Sequence, residues 1–166
     1  MTATTTSLLS KLLARGIPRP TAWEWAICPL PLTDAQVITE ALTWHRAGLS
    51  DAQDVDWFLD GWRPEEAVAT KLAGFTFEQA RFVDTQLSRA RDEHWRLGVD
   101  APPVDSWTAW RSSSLMPDVV CLCVANGRHR VEDGRKLLAE IRRDPRLRGT
   151  LELQRACQGI DLLALS

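Results

Sequence analysis

The sequence predicts an all-α fold: a compact bundle of seven to nine mostly short helices, with weak helix-turn repeats of 13 residues, around one long helix. Three observations predict it. Glycines 48, 61 and 74 recur every 13 residues, each followed by an apolar residue and an acidic stretch: Gly48-Leu49-Ser50-Asp51, Gly61-Trp62-Arg63-Pro64-Glu65-Glu66 and Gly74-Phe75-Thr76-Phe77-Glu78. Capping spacings of the S/T-x-x-E/Q type, which satisfy two orphan backbone donors at a helix start, stand at several of the expected boundaries. From Thr76 onward, Ala80, Val83, Leu87, Ala90, His94 and Leu97 follow one another at steps of three and four, the period of a helix face. A glycine just past a helix end lets the next residue fold back onto the last turn, so Ile17 should meet Leu12, Leu49 should meet Trp44, and Trp62 should meet Trp57.

In chain order, residues 1–6 are small and polar and are expected to fray. Ser7 caps a helix carrying Leu8, Leu9, Leu12 and Leu13, which Gly16 stops. Thr21 and Glu24 have capping-box spacing before Trp25, and Cys28-Pro29-Leu30-Pro31 is extended because residues before proline avoid the helical region. Thr33 with Gln36 opens a helix whose stripe is Val37, Ile38, Ala41, Leu42 and His45. Ser50 with Gln53 opens the next, Pro64 sits in the first turn of another, and Thr76 with Gln79 opens the long one, which ends at Gly98.

Beyond it, Trp107 and Trp110 lie three apart on a short helix. The run Val119-Val120-Cys121-Leu122-Cys123-Val124-Ala125 fits either a buried strand or a buried helix. It is read as a helix from about Pro117 to Asn126-Gly127, because no other segment alternates to give a strand a partner. A basic helix follows from about Val131 to Arg143, with Leu137, Leu138 and Ile141 inward, then a helix over 150–157 and an apolar tail, 160–165, that must dock somewhere.

One domain, 1–166, is expected at this length, and the apolar (45%) and charged (25%) fractions are those of a globular protein. The net charge of −2 speaks against a dedicated nucleic-acid binder. The charge is uneven: residues 1–120 carry 11 basic and 16 acidic side chains, residues 121–166 carry 9 and 6. Eight Trp, no Tyr and 17 Arg against 3 Lys suggest a high-GC bacterial genome or that of a phage. Four cysteines form no disulfide framework, the N-terminus lacks the pattern of a secretory leader, and no apolar run is long enough to span a membrane; a cytoplasmic protein is expected.

No pattern supports catalysis. His45, His94 and His129 fall in different elements, and Ser112-Ser113-Ser114 lacks a nucleophile-elbow context. Cys121-x-Cys123 with His129 nearby invites a metal, but thiols two apart on a helix point in different directions, and core cysteines are the plainer explanation. No metal or cofactor is expected. Asp34, Asp51, Glu65, Glu66 and Glu78 sit in first turns, where the helix dipole favours them.

The function expected is therefore that of a non-catalytic protein-binding or adaptor protein, with a protein partner, which includes a second copy of the chain. Trp and Arg most often anchor interfaces. Trp25, Trp62 and Trp110 are the tryptophans the predicted core needs least and are the candidate anchors. The alternative is a DNA-associated regulator using the basic stretch 128–148, with Arg142, Arg143, Arg146 and Arg148 as its contacts. Interspersed Glu132, Asp133, Glu140 and Asp144 also fit an ordinary solvated face.

Overall fold

The computed structural model describes residues 3–97 and 103–144, with side chains from residue 5. Among these residues there are nine helices and no strand. The chain divides into two compact units, Met1–Leu72 and Ala73–Ser166. The expected Gly98 stop, the helix over 150–157 and the tail 160–165 lie outside the described residues.

The first unit contains α1 (Ala3–Leu13), α2 (Arg19–Ala26), α3 (Asp34–Arg46), α4 (Asp54–Leu59) and α5 (Pro64–Leu72). Helix α1 begins at Ala3, so Ser7 lies within it and does not cap it, and residues 3–6, where fraying was expected, are helical. Helices α1, α2 and α3 pack on one another, and α4 packs on α2. Leu12, Trp25 and Trp44 are fully buried. Phe58 of α4 ties the two tryptophans together, its ring 4.6 Å from Trp25 and edge-on at 6.0 Å from Trp44. Aromatic pairs in such geometries contribute about 0.5–1.5 kcal/mol beyond their buried area.

The helix stops follow the glycine pattern. At Gly48, φ is +87°; at Gly61 it is +84° and at Gly74 +88°. A Cβ at such an angle is penalised, and glycine removes the penalty. Around Gly48, the Leu49 N–H donates to the Trp44 carbonyl (3.1 Å) and the Gly48 N–H to the His45 carbonyl (3.0 Å). The same pair of bonds brackets Gly61, with Trp62 N–H on Trp57 and Gly61 N–H on Phe58, both at 3.0 Å. Ile17 N–H reaches the Leu12 carbonyl at 3.3 Å. All three fold-back pairs expected from the sequence form. The Trp57 and Trp62 rings meet edge-to-face at 5.0 Å.

Helix starts are more varied. Thr33 and Gln36 make a complete capping box, as do Thr76 and Gln79. Two expected boxes do not form. Thr21 lies inside α2, which starts at Arg19 without a side-chain cap; its hydroxyl donates instead to the Ser50 carbonyl. Ser50 bonds His45, and an extra turn moves the start of α4 to Asp54, whose carboxylate accepts the Asp51 N–H at 3.0 Å.

The second unit is built on α6 (Phe77–Leu97), the 21-residue helix, with α7 (Trp107–Arg111), α8 (Pro117–Ala125) and α9 (Val131–Arg143). Helices α7 and α8 pack on α6, and α9 packs on α8. The Val119–Ala125 run is the helix α8. Val119, Val120, Cys121, Cys123 and Val124 are all buried, because a helix apolar on nearly every side must be covered on more than one face. On α6, Ala80, Val83, Leu87 and Ala90 are buried as expected, but the stripe ends there: His94 is half-buried and Leu97 is exposed. The Gln79 side chain completes its box with one end and donates to Asp118 of α8 with the other, at 3.1 Å. Helix α9 has no cap of its own; the Asp105 carboxylate, 26 residues back, accepts the Val131 N–H at 2.7 Å.

Gly134, inside α9, is buried for a packing reason. A Cβ there would lie 2.6 Å from Leu115 Cδ1 and 3.0 Å from the Trp110 ring. Alanine favours a helix over glycine by about 1 kcal/mol, whereas overpacking a filled core costs about 1–3 kcal/mol. We expect Gly134→Ala to lower stability in urea unfolding, and the loss to shrink in a Leu115→Ala background. An unchanged or raised stability for the single variant would show that α9 does not sit this close to Trp110.

Candidate protein-binding surfaces

Helix α2 has two faces. Thr21, Ala22 and Trp25 point into the first unit, and the helical period leaves Arg19, Pro20, Trp23 and Glu24 on the other side. With Leu9 of α1 these four line an open groove of about 520 Å³. Its floor is apolar: Leu9 and Trp23 are half-buried and Pro20 is exposed. Arg19 and Glu24 stand at either end with no ion pair or hydrogen bond among the described residues. Five residues of helix separate them by about 7.5 Å along the axis.

In the second unit, the outer face of α6 carries Trp95, 88% exposed, beside Asp92 and Arg96. Leu97, 76% exposed, follows at the end of the helix. Arg91 is folded back, donating to the Leu87 carbonyl and the Ser88 hydroxyl, and so does not shield the indole by these bonds. A tryptophan this exposed is unusual on a monomer's surface, since burial of one contributes more than burial of any other side chain.

The predicted anchors fare differently. Trp25 and Trp110 are core residues, with 1% and 0% exposure, and cannot anchor a partner. Trp25 faces Phe58, and Trp110 lies under Gly134. Trp62 is half-buried, held against Trp57 and donating from Nε1 to Asp60 at 3.0 Å. Arg142 and Arg143 are exposed on the last turn of α9, where a basic residue complements the helix dipole. Arg146 and Arg148 lie outside the described residues. The exposed positions of α9 mix both signs, Arg135, Lys136, Arg142 and Arg143 with Glu132 and Glu140, and Arg135 lies 3.6 Å from Glu132. This is a solvated mixed face rather than a positive stripe. Trp23 and Trp95 are absent from the anchors expected from sequence, although each is out of phase with the apolar stripe of its own helix. That phase was the signal that could have found them.

Cys121, Cys123 and His45 lie in structural surroundings. Burial and the neighbouring Asp118 carboxylate push the Cys121 thiol up to about 12, and burial pushes Cys123 up to about 11 against the opposing pull of Arg128. Burial therefore disfavours the thiolate, the form that attacks an electrophile or binds a metal. Among the described residues no three His, Cys, Asp or Glu side chains are grouped to hold a metal ion. His45 Nδ1 lies 2.7 Å from Ser50 Oγ, across the turn after α3. That pair, with Thr21 on the Ser50 carbonyl, fastens the turn to α2 and α3.

The same turn leads to the buried charge of the first unit. Asp54 is 3% exposed; it accepts from Lys71 Nζ at 2.6 Å and from the Asp51 N–H. Lys71 is partly exposed and can turn to water, but Asp54 cannot. Removing the cation therefore hurts more than neutralising the acid. We expect Lys71→Met to destabilise by about 3 kcal/mol, and Asp54→Asn by about 1 kcal/mol, since the amide oxygen still accepts the backbone N–H. Chemical denaturation of the two single variants and the double variant checks this. The double should be more stable than Lys71→Met alone, and the reverse order would contradict the buried pair.

Compared with known proteins, the chain matches no family model, no curated protein and no solved structure.

Proposed function

We propose that the chain is a non-catalytic protein-binding or adaptor protein, and that the outer face of α2 is its principal docking surface. The groove lined by Leu9, Arg19, Pro20, Trp23 and Glu24 carries this reading. It offers an apolar floor with an aromatic side chain and, at its ends, two opposite charges that no described residue neutralises. An apolar side chain flanked by an acid and a base fits such a surface, and charges placed this way set the orientation of a partner more than the affinity. Trp23, with Arg19 one turn before it, belongs to the residue types that dominate interface energetics.

Other features support the same direction. No helix of the described residues is long and apolar enough to cross a membrane. Cys121 and Cys123 are free thiols in an apolar core, the usage expected in a reducing compartment such as the cytoplasm. The mixed charge of α9 and the net charge of −2 do not favour the DNA-associated alternative.

The test is a comparison of two baits from the native host, the parent chain and an Arg19→Glu/Glu24→Arg variant, whose changes fall on one exposed and one half-buried position and whose melting temperature should match the parent. We expect a protein that the parent retains and the variant loses, and that binds the purified parent with a dissociation constant below about 10 μM. Equal recovery by both baits would contradict the α2 site. A sub-micromolar affinity of the parent for duplex DNA that falls steeply with salt would replace the reading by its alternative.

A further inference from the structure

Building on the protein-binding reading of α2, we infer that the partner seated in its groove is a second copy of this chain, which presents Trp95 of α6. Three observations point to this pairing. First, Trp95 is 88% exposed on the outer face of a long, regular helix, so it is held out on a rigid support rather than on a loop. Second, the α2 groove has an apolar floor of Leu9, Pro20 and Trp23 and a volume of about 520 Å³, room enough for an indole.

Third, with Arg91 held on its own helix by Leu87 and Ser88, the two remaining charges match in sign and approximate spacing. Asp92 lies one turn before Trp95 on α6 and Arg96 follows Trp95 in sequence, and neither side chain has a hydrogen bond or ion pair among the described residues. Four residues of helix set them about 6 Å apart along the axis, against about 7.5 Å for Arg19 and Glu24. With the two helices side by side, Asp92 meets Arg19, Arg96 meets Glu24, and Trp95 enters between them. Both charge pairs are reversed if the helices are turned end for end, so the contact has one favoured direction.

The two surfaces differ, so the contact is heterologous. Each copy offers one groove and one tryptophan, and head-to-tail association continues until a ring closes or a filament grows. A symmetric dimer that stops at two copies is not expected from this contact alone.

Sedimentation of the full chain tests the inference over a concentration series reaching about 100 μM. We expect the average mass of the parent to rise with concentration. Trp95→Ala should weaken the association at least about tenfold, the loss expected when an anchoring tryptophan is truncated. Arg19→Glu and Asp92→Arg should each abolish self-association, because each places like charges face to face. An equimolar mixture of those two variants should restore it. The glutamate introduced at position 19 of one copy then meets the arginine introduced at position 92 of the other, while the unchanged Arg19 and Asp92 meet in the opposite sense.

All the altered side chains are exposed, so helical content and melting temperature should match the parent and show that the fold is intact. A parent that stays monomeric over the series would overturn the second-copy inference, as would association that survives both charge reversals. In either case the host-bait comparison stands apart: a heterologous protein lost by Arg19→Glu/Glu24→Arg would keep the groove as a docking site and remove only this occupant.

Discussion

The left-handed turn that ends α3 and α4 is the constraint on which the first unit depends. A chain that must reverse within two or three residues needs one position at positive φ, and glycine meets it at Gly48 and Gly61. The turn does more than stop a helix. Its pair of backbone bonds satisfies carbonyls that the helix end leaves open, and it carries the next apolar residue back over the last turn. Leu49 is thereby buried near Trp44, and Trp62 is laid edge-on against Trp57. The Gly48 turn also brings Ser50 to His45 and Thr21 and leads into the Asp54–Lys71 pair, so its geometry is transmitted to α2, α4 and α5.

This arrangement explains which surface of α2 is left over. Thr21 and Trp25 are committed inward by the Ser50 carbonyl and by Phe58. Arg19, Pro20, Trp23 and Glu24 lie on the opposite side of the helix, and they are the residues that line the groove. In the second unit the equivalent division lies on α6. Ala80, Val83, Leu87 and Ala90 are used against the core, while Trp95 is set out of phase with them and exposed. Trp23 is half-buried and Trp95 exposed in a chain that buries Trp25, Trp44, Trp57, Trp107 and Trp110, and an apolar surface left open in this way is one that something else can cover.

Local chemistry was legible in the sequence, and distant pairing was not. The glycine stops, the fold-back pairs and the boxes at Thr33 and Thr76 all follow from interactions within about six residues of chain, and the helical state of Val119–Ala125 from the lack of an alternating segment for a strand to pair with. Several of the differences share a physical cause, a partner far along the chain. Thr21 and Ser50 have capping-box spacing, but tertiary partners took their hydroxyls: Thr21 the Ser50 carbonyl, Ser50 the imidazole of His45. Asp105 caps α9 from 26 residues away, and Gly134 is small because Trp110 and Leu115 press on it; no local pattern announces either. The burial of Trp25 and Trp110 was hidden similarly, since Phe58 and Gly134, which lie over them, are far along the chain. Trp23 and Trp95 needed only the helical period, applied to each tryptophan in turn. The charges of α9 were readable as a mixed face from composition, and Arg135 beside Glu132 bears this out.

The handedness of the glycine turns can be tested directly by semisynthesis, placing L-alanine or D-alanine at Gly61. At the observed φ of +84° an L-alanine Cβ would meet no atom within 4 Å, so backbone strain rather than a clash is what penalises it. L-alanine should lower the melting temperature, corresponding to about 1 kcal/mol or more, and D-alanine, for which positive φ is the relaxed conformation, should preserve or raise it. Equal melting temperatures for the two would contradict a left-handed turn at this position, and with it the constraint that arranges Trp57 and Trp62.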